Sequence, residues 1–143
     1  MSDLTSVLVP ISESAASLEA VGIACNLAKR KKGRVYVVHV IEVARALPLN
    51  AEMDNEARQG EKLLRRAEEA ARAADYQVMG ELLQAREAGL AIVDEARDRG
   101  VQAVILGVAY KRLIGAFQVG RTVDYVLKNA PCQVWVVRQA VTE

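Results

Sequence analysis

The sequence has little of what several functional classes need. It contains one tryptophan, four tyrosines and one phenylalanine, so base-stacking platforms for nucleic acid are scarce. Nineteen basic and eighteen acidic side chains leave a formal net charge of +1, which argues against nucleic acid as a partner. The only histidine is His39, which leaves no Ser-His-Asp triad and no histidine-rich metal site. We therefore expect no catalytic residues and no metal ligands.

Cysteines and long apolar runs are also scarce. We expect Cys25 and Cys132 to be unpaired thiols that pack as small hydrophobic residues in a reducing compartment. No apolar stretch approaches the roughly 20 residues that a membrane helix needs. The first apolar strand comes almost at once, without a basic and apolar signal segment before it. These features predict a cytoplasmic protein that folds as a single domain over residues 1–143.

Apolar residues recur with strand and helix periods in strict alternation. Short apolar runs predict strands at 7–10, 35–41, 77–85, 103–106 and 133–137. Helical spacing predicts helices after the capping candidates Ser12 or Ser14, at 52–74, at 88–99, and before the stop at Pro131. This order predicts an α/β fold with a parallel sheet covered on both faces. Ligands of such sheets bind beyond the carboxyl ends of the strands, where the strand order switches.

Some packing details also follow from the pattern. Leu90, Val93 and Ala96 are predicted to form the buried stripe of the helix at 88–99. Gly80, inside the third strand, is interpreted as a possible bulge. His39 is interpreted as a core residue or a residue on a dimer surface, rather than as a base or ligand.

The stretch from 103 to 138 raises the main functional question. A buried strand ends near Gly107, and a loop then leads to Gly120 and the start of a helix. Free N–H groups and the helix dipole at such a point make a possible anion cradle. In the alternative interpretation, each glycine simply serves a turn, one at the strand end and one at the helix start.

Four segments together resemble the universal stress protein family. They are VLVP at 7–10 before a serine-containing helix start, VVHVIE at 37–42, ILG at 105–107, and APC at 130–132 before a valine-rich strand. The resemblance covers essentially the whole chain. It implies a doubly wound, Rossmann-like sheet of five parallel strands in the order 3-2-1-4-5. It also implies a homodimer through the last strand, whose apolar run at 134–137 would form an exposed sheet edge.

Many members of this family bind ATP through a loop with fixed spacing. The loop reads Gly, two residues, Gly, nine residues, then Gly followed by Ser or Thr. Gly107 and Gly120 match its first and third glycines, whereas Tyr110 replaces the second. Arg121 replaces the small hydroxyl residue, with Thr122 next to it. Because tyrosine neither lets backbone approach phosphate nor adopts positive φ cheaply, the motif is degenerate.

A second departure lies after the first strand. ATP-binding members carry Asp in a Pro-x-Asp pattern, and this position is Ser12 here. The prediction is therefore weak or absent ATP binding. If a nucleotide does bind, the resemblance implies that Val40 meets the base and that the other site residues surround the sugar and phosphates. The implied cofactor-binding residues are Pro10, Ser12, Val40, Gly107, Gly120, Arg121 and Thr122.

Three side chains of the loop allow more than one interpretation. Tyr110 could stack on an adenine, but we interpret it as a side chain that occupies the vacated site. Arg121 could fill the phosphate space or pair with an anion, and Lys111 and Arg112 add cations to the same loop. A phosphate or another anion therefore remains a candidate ligand.

The resemblance implies a small dimeric regulatory or ligand-sensing protein of the stress response, and not an enzyme. One alternative is slow nucleotide hydrolysis at the same loop, although a carboxylate for Mg²⁺ is missing near Ser12. Another is a purely structural interaction domain with a protein partner, such as a transporter, and no small-molecule ligand.

Overall fold

A computed structural model describes residues 4–110 and 119–141 of the chain. Within these residues, five parallel strands form one sheet in the order β3-β2-β1-β4-β5. The strands are β1 (Ser6–Pro10), β2 (Arg34–Glu42), β3 (Met79–Ala85), β4 (Ala103–Val108) and β5 (Gln133–Arg138). The helices are α1 (Ala15–Ala28), α2 (Asp54–Ala73), α3 (Ala88–Arg99) and α4 (Arg121–Asn129). The predicted fold class and strand order are confirmed.

Both faces of the sheet are buried, which explains why the central strands read as unbroken apolar runs. In β1, Val7 and Val9 pack on the side of α1 and α2, whereas Leu8 packs on the side of α3 and α4. Each face thus has its own apolar cluster, because successive side chains of a strand point to opposite faces. None of the helices within 4–110 and 119–141 is long and apolar enough to cross a membrane.

Helix α3 is rotated relative to the predicted stripe. Leu90 is 45% exposed, and Ile92 joins Val93 and Ala96 in the core. The cause is Gly89, where an added Cβ would lie 2.9 Å from Cβ of Tyr125 on α4. The small residue faces the neighbouring helix and allows close approach, so the adjacent leucine turns toward solvent.

The third strand, β3, is regular at Gly80, where the sequence suggested a bulge. Residues 79–85 pair one-to-one with residues 36–42 of β2, and Gly80 lies opposite Val37 in this register. The interpretation of Gly80 as a bulge is therefore wrong. An added Cβ at Gly80 would lie 3.2 Å from the Leu64 side chain, so this glycine gives α2 room to pack on the strand.

Both cysteines are free thiols, and Cys25 is fully buried on α1. Burial raises the pKa of the Cys25 thiol to about 11, although the nearby Lys29 lowers it. Because the thiolate is the reactive form, we expect no alkylation of native Cys25 by iodoacetamide at neutral pH. Mass spectrometry of native and urea-unfolded samples measures this. Complete labelling of Cys25 in the native sample would show that the helix does not shield it.

Candidate functional site

A cleft of about 290 Å³ opens at the carboxyl edge of the sheet. It lies where β1 and β4 are neighbours, which is the point where the strand order switches. The structure brings together five of the residues implied for the site, since the cleft lining includes Pro10, Ser12, Val40, Gly107 and Thr122. The cleft therefore lies at the position where this class of sheet binds its ligands.

One wall of the cleft is apolar. Val38 and Val40 come from β2, Leu106 from β4 and Ile92 from α3. Val38, Leu106 and Ile92 also belong to the core cluster on that side of the sheet, so packing fixes them in place. A wall of this kind can hold a flat apolar ring, while polar groups at the rim set its orientation.

Ser12 and Ser17 also line the cleft, and Ser17 was not predicted. Ser17 is 1% exposed. Its Oγ accepts a hydrogen bond from the Ser12 N–H at 3.0 Å and lies 3.2 Å from Ser12 Oγ. Helical spacing was the sequence signal that could have identified Ser17 as buried, because it shares the buried stripe of α1 with Ala20, Val21 and Ala24.

His39 also lines the cleft. It is half-buried on β2, which lies inside the sheet between β3 and β1. Its Nδ1 is 2.9 Å from the carbonyl oxygen of Ile11. Because a carbonyl only accepts, Nδ1 is the donor of this hydrogen bond.

Three helices begin at the cleft, and their first turns differ in capping. In α1, Ser14 Oγ accepts from the Ala16 N–H at 3.1 Å. In α3, a carboxylate oxygen of Glu42 accepts from the Ala88 N–H at 2.8 Å. Helix α4 follows Gly120, whose φ of 85° suits glycine, and no side chain of the described residues caps it. Within residues 4–110 and 119–141, the first N–H groups of α4 thus have no side-chain partner, and such groups can bind an anion.

Gly107 was predicted to mark the end of its strand. It lies instead within β4, opposite Val137. An added Cβ at this position would lie 2.2 Å from the carbonyl carbon and oxygen of Ala16. The glycine thus lets the first turn of α1 pack directly on β4. The interpretation of Gly107 as a turn residue is wrong, whereas Gly120 does precede the first helical residue.

Arg121 and Tyr110 lie outside the cleft lining. Arg121 is exposed and lines a neighbouring pocket of about 120 Å³ together with Glu42 and Glu87. The Tyr110 ring packs against Arg138 of β5, whose guanidinium carbon lies 4.8 Å from the ring centroid. Tyr110 is not among the residues that line the cleft. Lys111 and Arg112 lie outside the described residues.

The chain resembles proteins of known family in sequence and in fold. It is 27% identical to a universal stress protein of Methanocaldococcus jannaschii over 143 residues, covering 96% of this chain and 84% of that protein. The structure of a universal stress protein from Archaeoglobus fulgidus superposes with a TM-score of 0.80 at 20% identity, covering 93% of this chain and 98% of the other.

A second Archaeoglobus fulgidus structure, of a universal stress protein in complex with dAMP, has a TM-score of 0.76 at 19% identity. The match covers 95% of this chain and 99% of the other. At these identities the structural matches concern the fold alone. The sequence profile of the universal stress protein family matches residues 4–138, which is most of the chain. The chain therefore belongs to the universal stress protein family.

Proposed function

We propose that this protein binds an adenine nucleotide in the cleft and acts as a dimeric regulatory or ligand-sensing module in the cytoplasm, without catalysing a reaction. The observation that carries the proposal is the cleft at the strand-order switch, beside a helix start that no side chain of the described residues caps. The dAMP complex of the Archaeoglobus fulgidus relative supports this ligand class. The stress response is the role that the family suggests.

The geometry suggests how such a ligand would lie. The base would pack on the apolar wall near Val40, and the sugar would face the Ser12 hydroxyl. The phosphate would meet the N–H groups at the start of α4, where the helix dipole favours a negative charge. The exposed Arg121 guanidinium, on the first residue of α4, adds a positive charge within reach of a phosphate.

Two features argue that the affinity is low. A hydroxyl at Ser12 makes a weaker bond to a ligand hydroxyl than a carboxylate would, by about 1 kcal/mol. Tyr110 also stands in the loop where ATP-binding members have a glycine, so the backbone approaches phosphate less easily. We therefore propose that Kd for ATP is weaker than about 1 μM.

Titration calorimetry with AMP and with Mg-ATP tests the site. We expect Kd values of roughly 10–500 μM, and we expect Val40→Phe to abolish the heat because the larger ring fills the cleft. Leu127→Phe, at an exposed position on α4 outside the cleft lining, is the matched control and should bind normally. Sub-micromolar binding with nucleotide retained on purification would contradict the weak affinity. Absence of heat with every adenine nucleotide would contradict the site.

The same samples test the proposal that the protein is not an enzyme. Phosphate release from Mg-ATP should equal that of a buffer control over hours. Phosphate release above the buffer control would contradict this proposal if the Gly120→Val substitution abolished it, because hydrolysis would then occur at the start of α4.

The dimer is proposed to form through β5. This strand is at the edge of the sheet and pairs with β4 on one side. Val136 is 38% exposed and Trp135 is half-buried, so the edge is largely apolar. An apolar edge strand with free backbone groups favours pairing with a second copy.

A further inference from the structure

We propose that Ser17 is a positioning residue of the cleft, whose hydroxyl holds the turn after β1 and orients the Ser12 hydroxyl toward an oxygen atom of the ligand. The contact between Ser12 and a ligand rests on the proposed function. The stabilisation of the turn by Ser17 is independent of that function, and it can be measured in the protein without ligand.

The Ser17 hydroxyl makes its hydrogen bonds to one short segment, the turn after β1. Ser17 is the buried polar side chain of the described residues, and Ala16, Ala20 and Val21 around it on α1 are apolar. A buried hydroxyl costs free energy unless it is hydrogen-bonded. Its Oγ bonds to the N–H and the Oγ of Ser12, which belong to the turn between β1 and α1.

The same turn is held from its other side by β2. The Ile11 N–H donates to the Val38 carbonyl at 2.8 Å, and the Ile11 carbonyl accepts from His39 Nδ1 at 2.9 Å. Residues 11 and 12 therefore lie between two fixed elements, with Ser17 supplying the contacts from α1. The exposed end of this arrangement is the Ser12 hydroxyl, on the cleft lining.

The paired hydroxyls also determine what Ser12 can bind. Either oxygen of the pair can be the donor. When Ser17 donates to Ser12, the Ser12 proton is free for a ligand acceptor such as a phosphate oxygen. When Ser12 donates to Ser17, a lone pair of Ser12 is free for a ligand donor such as a sugar hydroxyl. A carboxylate at this position would repel the first kind of ligand atom, whereas this pair accepts both.

Amide hydrogen exchange measured by NMR tests the hold on the turn. Ser17→Ala removes the acceptor of the residue 12 N–H, so we expect exchange of this amide to become about fivefold faster or more. The Val9 amide in β1 should exchange as before. Ser12→Ala is the matched control, because it keeps the backbone bond to Ser17 and should leave the residue 12 amide protected. Unchanged exchange at residue 12, or equal acceleration at Val9, would overturn the proposal.

Calorimetry with AMP tests the orientation of Ser12. We expect Ser12→Ala and Ser17→Ala each to weaken binding by about three- to tenfold. The double variant should lose less than the product of the two, because Ser17 acts through Ser12. A loss equal to the full product would overturn the positioning role. If the wild-type protein binds no adenine nucleotide, the proposed function fails, while the exchange measurement still decides whether Ser17 holds the turn.

Discussion

Gly107→Ala is expected to lower the free energy of unfolding by about 3 kcal/mol or more, or to prevent folding. The added Cβ would lie 2.2 Å from the carbonyl carbon and oxygen of Ala16 and 2.4 Å from the Ser17 nitrogen. These are backbone atoms in the first turn of α1, so no flexible side chain can move aside. Either α1 shifts away from β4, or the strand distorts.

Urea unfolding of Gly107→Ala and Gly22→Ala makes the test a matched pair. Gly22 lies in the middle of α1, and nothing is within 4 Å of an added Cβ there. Because alanine favours helix over glycine, Gly22→Ala should be stabilising by up to about 1 kcal/mol. A midpoint for Gly107→Ala equal to that of wild type would show that α1 does not pack on β4 as described.

Val136→Glu is expected to convert the proposed dimer into a monomer, which halves the mass measured by light scattering. Val136 is 38% exposed on the edge strand β5, so a charge there should leave the fold intact. In a dimer the same carboxylate would be buried without a partner at the interface, which costs several kcal/mol. A substitution at Val136 therefore tests dimer assembly without a large effect on folding.

Ile23→Glu provides the control for this change. Ile23 is 37% exposed on α1 and is not part of the edge strand β5, so the mass should stay that of a dimer. Trp135→Glu should also break the dimer, but Trp135 packs against the core, so its effect would include a loss of stability. A monomeric wild-type protein, or a dimeric Val136→Glu variant, would contradict assembly through β5.

The fold followed from local patterns and from the family resemblance. Alternating strand and helix periods predicted the covered parallel sheet, and the resemblance implied the order 3-2-1-4-5 that the structure has. The same resemblance implied seven site residues, of which Gly120 and Arg121 lie next to the cleft at the start of α4 and the others line it. The implied residues lie close together because the sheet fixes where each strand ends.

The roles of individual residues in the site could not be predicted from the sequence in the same way. Gly107 matched a phosphate-loop position, yet its backbone lies against Ala16 of α1. Tyr110 matched another position of this loop, and its ring packs against Arg138 of β5. Each role depends on a residue far away in the chain, and no local pattern contains that partner.

The sequence by itself determined the period of each element, and therefore the layered α/β architecture. Hydrophobic periodicity is a local property, so it can be read along the chain. Only the tertiary structure decided that Leu90 faces solvent, that Gly107 serves helix packing, and that Ser17 and His39 hold the turn beside the cleft. These depend on how closely helices and strands approach one another, which side-chain volumes set jointly across the fold.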